Sequence, residues 1–113
     1  MDYASYDNVA EQYVLGALLI GDAFDLGAVT SIVSSRDFYQ ERHQQIFEAI
    51  VRLADRGEPV NLLALQTELI HQGVFDQIGG FAFLVGLFDN VPTTLQVADH
   101  AKTVRLCALW RGH

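Results

Sequence analysis

The stretch ERHQQIFEAIVRLADR, Glu41 to Arg56, decides the fold class. Ile46, Ile50 and Leu53 recur at helical spacing, and Phe47, Val51 and Ala54 widen the same stripe. An apolar face this wide, at a period near 3.6 residues, predicts an amphipathic helix with one side buried. Gly57-Glu58-Pro59 ends it, because proline cannot continue a helix and glycine takes the turn beyond one.

Reading toward the C-terminus, Asn61 predicts the N-cap of a fourth helix, with Leu62, Leu65 and Leu69 facing inward until Gly73. Gly79-Gly80 permits a tight turn into a fifth helix, where Phe83, Leu84, Leu87 and Phe88 form the inward stripe and Phe81 falls near its edge. Val91-Pro92 breaks the chain, and Thr93 with Gln96 has capping-box spacing for a sixth helix. That helix still has helix-compatible Leu106, Leu109 and Trp110 where the chain stops at His113, so the reading expects a truncated last helix and a longer parent.

Toward the N-terminus, a second helix is expected over Ala23 to Ser34, carrying Leu26, Val29, Ile32 and Val33. Its Val29-Thr30-Ser31-Ile32-Val33 run also reads as a strand, but no partner strand of similar length occurs. Gly21 is expected as a left-handed cap and Asp22 as the next N-cap. The first helix is predicted from Val9 to Ile20 with Tyr13, Val14, Ala17 and Leu18 in one stripe, behind a flexible arm over residues 1–8 that holds Tyr3 and Tyr6. The fold class is therefore all-α, a compact orthogonal bundle of about six short helices in one domain, residues 9–113.

Half of the 113 residues are apolar and 19% are charged, so the chain can bury a core and is not disordered. The net charge of −7 is uneven: five acids and no Lys or Arg up to Ser35, then eight acids against four Arg up to Asp89. Beyond Asn90 only Lys102, Arg105 and Arg111 face Asp99. A protein that grips nucleic acid by its phosphates needs a dense basic stripe, so this segment is expected to bind protein and not nucleic acid. A single cysteine, Cys107, excludes an intramolecular disulfide. With no signal-type N-terminus and no membrane-length apolar run, the cytoplasm is the expected compartment.

No catalytic, cofactor-binding or metal site is expected. His43, His71, His100 and His113 have no metal-ligand spacing among themselves or with Cys107, and His43 reads as a partly buried, hydrogen-bonded residue beside Phe47 and Tyr39. The serines lack a nucleophile-elbow context, and Gly79-Gly80 is followed by no Lys-Ser or Lys-Thr. The fourteen acids read mostly as a solvated face. Phe81, Phe83 and Phe88, crowded on one short helix, read as core and rim packing or as a binding patch.

Taken in order, the motifs resemble the N-terminal domain of the replicative DnaB-family DNA helicases. Ala10-Glu11-Gln12, Val14-Leu15-Gly16 and Leu18-Leu19 look like the family's opening pattern. Asp37-Phe38-Tyr39, His43, Ile46-Phe47, Ala49-Ile50 and Leu53 follow at its spacing, and Arg56-Gly57-Glu58-Pro59-Val60-Asn61 looks like its inter-helix turn. Gly79-Gly80, Ala82-Phe83-Leu84, Val91-Pro92-Thr93 and Ala101, Val104, Arg105 complete the series. Ala64, Leu95 and His100 depart from the residues common there, which are Thr, Asn and Tyr.

The resemblance implies a non-catalytic collar domain over a hexameric motor, pairing into dimers and receiving the C-terminal domain of primase and, in some systems, a helicase loader. ATP and Mg would belong to the motor domain, absent from these residues. Phe81 and Phe83 are the candidate partner-docking residues, and Val104, Leu106, Leu109 and Trp110 the candidate self-association edge. The alternative is a free-standing helical adaptor that mimics the collar to capture primase or a loader.

Overall fold

The structure is a computed structural model that describes residues 6–21, 23–89 and 96–112, with the backbone alone at residues 23 and 24. Its helices are α1 (Asn8–Ile20), α2 (Ala23–Thr30), α3 (Glu41–Asp55), α4 (Leu62–His71), α5 (Gly80–Asp89) and α6 (Val97–Trp110), with a 3-10 turn at Ser35–Asp37. No strand occurs among the described residues. The radius of gyration, 13.1 Å, is that of a compact chain of this length, about 13 Å.

The first helix holds the centre. Ala10, Val14, Leu15, Ala17, Leu18 and Leu19 are buried, which leaves α1 apolar on most of its circumference. A helix apolar nearly all round must be enclosed by others, and α1 packs against α6, α5, α3 and α2. Its start is fixed locally: the Asp7 carboxylate accepts from the Ala10 N–H at 3.0 Å. The sequence reading had placed Asp7 in a flexible arm over residues 1–8. Residues 1–5 lie outside the described residues, but Asp7 caps α1, Asn8 belongs to it, and the Tyr6 ring stacks on Tyr39 at 4.2 Å.

Two helix ends differ from the sequence reading. The second helix stops at Thr30 instead of Ser34. The Ser31 and Thr30 hydroxyls donate to the carbonyls of Ala28 and Gly27, at 2.7 and 3.2 Å. Such local bonds compete with the helical ladder in a β-branched stretch. Gly21 is extended (φ −86°, ψ −167°), not left-handed, and its N–H still bonds the Ala17 carbonyl. Asp22 lies outside the described residues. Thr93 does too, and Gln96 is the N-cap of α6, not its third residue.

Elsewhere local signals hold. The Asn61 side chain accepts from the Ala64 N–H at 2.8 Å and starts α4. Gly79 and Gly80 both have positive φ, 110° and 67°, which L side chains resist. A Cβ on Gly79 would come within 2.9 Å of the Phe83 Cβ, so that turn requires glycine sterically as well. The core gathers Val14, Leu15, Phe38, Ile46, Ile50, Leu53, Leu65, Leu69, Leu84 and Ala101 between the six helices. Within α5, Leu84 and Leu87 are buried and Phe83 packs against the core, but Phe88, expected inward, is 39% exposed. At about 100° per residue, Phe83 and Leu87 turn the buried face to one side of Leu84 and leave Phe88 on the other.

Candidate interaction surface

Among the described residues three buried carboxylates organise the polar interior, and two of them, Glu11 and Glu68, sit on the apolar faces of their helices. Glu11 shares the buried face of α1 with Val14, Leu15 and Leu18. Its Oε2 accepts from the Tyr39 N–H at 2.7 Å, and its Oε1 lies 2.7 Å from His43 Nδ1, whose N–H donates to it. Oε1 also faces the Gln40 N–H at 3.4 Å. A buried carboxylate is tolerated only when its oxygens are bonded in this way. His43 is fully buried, more deeply than the sequence reading expected. Its ring lies 5.9 Å from that of Phe83, over which the Arg42 guanidinium is placed at 3.9 Å.

Asp37 is the second. Its Oδ2 accepts from the Ser34 N–H at 2.8 Å, and its Oδ1 from Arg105 Nη1 at 2.9 Å. The third is Glu68 on α4, which accepts from Arg52 Nε at 3.0 Å and from Arg56 Nη2. The Arg56 hydrogen bond, followed by that of Arg52, pulls the Glu68 carboxyl down to about 2. The same contact with Glu68, followed by one with Glu58, raises the Arg56 guanidinium above its already high value.

A depressed carboxyl stabilises the fold at pH values above its unfolded pKa, and the contribution disappears as pH falls through the folded one. The domain should therefore lose stability between roughly pH 4.5 and pH 2. Glu68→Gln should flatten this acid limb, because the glutamine side chain does not titrate. Urea midpoints at pH 7, 4 and 2.5 check it; equal acid losses in both proteins would refute the assignment.

Apolar side chains also reach solvent. On α6, Val97, Ala101, Val104 and Ala108 face the core. Leu106, Leu109 and Trp110 share the opposite side and are exposed, Trp110 by 58%. Val104, grouped with them on sequence, is 1% exposed and is a core residue. Its place in the i, i+4, i+7 series from Val97 is the reason, since that series points at α1. On α5, Phe81 is exposed, whereas Phe83 lies partly buried beneath Arg42. The structure thus leaves Phe81 as the accessible member of that pair.

The buried acids were missed on sequence, where the fourteen acids read mostly as a solvated face. One signal was available: Glu11 and Glu68 fall in the apolar phase of their helices, beside Ala10 and Val14 and beside Leu65 and Leu69. Asp37 carried no comparable local sign. Cys107 is buried, and burial pushes its thiol up. No group of three or more His, Cys, Asp or Glu able to hold a metal occurs among the described residues. No helix among them is long and apolar enough to cross a membrane.

This geometry defines a helical domain whose polar groups lock its own elements together, and whose exposed apolar residues include a cluster at the end of α6 and Phe81 and Phe88 on α5, besides Val9 on α1 and Leu63 and Ile70 on α4. The chain belongs to the family of DnaB-like helicase N-terminal domains, whose model matches residues 4–106. It is 43% identical over 95 residues to the replicative DNA helicase DnaB of Geobacillus stearothermophilus, covering 84% of this chain and 21% of that protein. The DnaB of Mycobacterium leprae is 38% identical over 106 residues, 93% of this chain and 17% of that protein. The crystal structure of the N-terminal domain of DnaB helicase from Mycobacterium tuberculosis superposes with a TM-score of 0.91 at 34% identity, over 95% of this chain and 77% of that one. The chain thus spans about a fifth of the length of these helicases and matches their non-catalytic N-terminal domain.

Proposed function

We propose that this chain is the collar and interaction domain of a hexameric replicative DNA helicase, acting in the cytoplasm. It pairs with further copies of itself along the end of α6 and receives the C-terminal domain of primase, and a helicase loader, on the α5 side at Phe81 over Phe83. ATP and Mg serve the motor domain of the parent protein, not these residues. The observation that carries the reading is the exposed cluster of Leu106, Leu109 and Trp110 on one side of a helix whose other side is core. Its family membership and the lack of a dense basic stripe in the sequence support protein over nucleic acid as the partner.

Sedimentation of the chain alone, then mixed with the C-terminal domain of the cognate primase, tests both contacts. Concentration-dependent dimers support the α6 edge, and co-migration with primase supports docking. Separate boundaries at all concentrations would remove the primase role, and a strictly monomeric chain the self-association role. Trp110→Ala should weaken self-association about tenfold, the effect of losing about 1.4 kcal/mol at an aromatic anchor, with unchanged helix content. A dimer constant within twofold of the parent's would refute it.

A further inference from the structure

The apolar hold on α6 ends before the helix does. Its buried residues run from Val97 through Ala108, and beyond them Leu109 and Trp110 are exposed. Among the described contacts, two polar ones fasten the end of α6 to one residue. Arg105 Nη1 donates to the Asp37 carboxylate at 2.9 Å, and Arg111 Nη2 donates to the Asp37 carbonyl at 2.8 Å. Asp37 is itself immobilised: it is 2% exposed, and its second carboxylate oxygen accepts from the Ser34 N–H. The next residues are pinned as well, Phe38 in the core and Tyr39 by its N–H bond to Glu11. The Arg111 guanidinium also lies over the Tyr39 ring, 5.4 Å from its centroid.

We propose that Asp37, Arg105 and Arg111 form a clamp that positions the last turn of α6 and thereby presents Leu106, Leu109 and Trp110 as one self-association edge. The two arginines are six residues apart, about 9 Å along the helix and about 120° around it. Two anchors so separated fix rotation about the helix axis as well as translation along it. A single contact, or the apolar stripe alone, would let the end of the helix roll or fray. The three residues are assigned as positioning residues that act through the apolar edge. The inference rests on the self-association reading above for its function, not for its geometry.

The test compares the parent chain with Arg105→Ala/Arg111→Ala and with Arg105→Lys/Arg111→Lys. Trp110 is the only tryptophan, so its steady-state anisotropy reports on the last turn of α6. In the alanine pair, self-association should fall at least tenfold and the anisotropy of the monomer should drop, while far-ultraviolet circular dichroism stays that of a folded helical domain. The lysine pair, which keeps the charge, should recover most of the association. Unchanged association and anisotropy in the alanine pair would overturn the clamp. Should that pair unfold, Arg111→Ala alone decides: lower anisotropy in a folded protein supports the clamp, and unchanged anisotropy overturns it. Should the parent chain be monomeric throughout, the self-association reading fails by itself. The clamp is then judged on anisotropy alone, a drop supporting it and no change overturning it.

Discussion

Glu11→Ala is expected to destabilise the domain by about 3–5 kcal/mol, the cost of leaving several buried donors without the carboxylate that accepts from them. The carboxylate joins three elements at once: α1, the turn at Tyr39, and α3 through His43. Truncation would leave the His43 Nδ1–H and the Tyr39 N–H without acceptors, each costing about 1–3 kcal/mol when buried. For a domain whose total stability lies around 5–15 kcal/mol, that is about a fifth of the whole or more. Urea unfolding followed by circular dichroism should show a lower midpoint with a similar slope. A double-mutant cycle with His43→Ala should give a coupling of about 1 kcal/mol or more. A total loss below about 1 kcal/mol would mean that other groups replace the carboxylate at little cost.

Phe47→Ala should cost a comparable 3–5 kcal/mol or so, by a different mechanism, the loss of transfer energy together with the cavity left behind. The ring is 3% exposed and meets that of Phe38, 5.1 Å away between centroids. Phe38 lies between Asp37 and Tyr39, so Phe47 backs from the apolar side the same segment that Glu11 holds from the polar side. The melting temperature should fall by roughly 12–40 °C, taking about 4–8 °C per kcal/mol for a domain near this size. A shift of one or two degrees would place Phe47 outside the core.

Both predictions turn on how much of the molecule is local. The third helix, the Asn61 cap and the Gly79-Gly80 turn were legible because each is specified within a few residues of sequence. The end of α2 was not, since Val29-Thr30-Ser31-Ile32 satisfies helical periodicity while its hydroxyls favour release from the helix. Val104 was misplaced because an apolar residue near the end of a helix can face inward or outward, and only the docking against α1 decides. The acids were hardest. Glu11 meets Tyr39 28 positions on, and Asp37 meets Arg105 68 positions on. No spacing rule reaches that far, so a carboxylate destined for the interior is counted with those on the surface. Partner-facing residues are legible only in part for the same reason: composition shows that aromatics crowd α5, but not which of them the core takes.

The central place of α1 has a consequence for synthesis on the ribosome. The helix made first is covered by α6, which is made last among the described helices. Until some ninety further residues have emerged, an apolar cylinder stands without its full cover. The nascent domain must therefore wait for its last helix before it can close. Slow translation through residues 90–110 would lengthen the interval in which chaperones, or neighbouring nascent chains, compete for that surface.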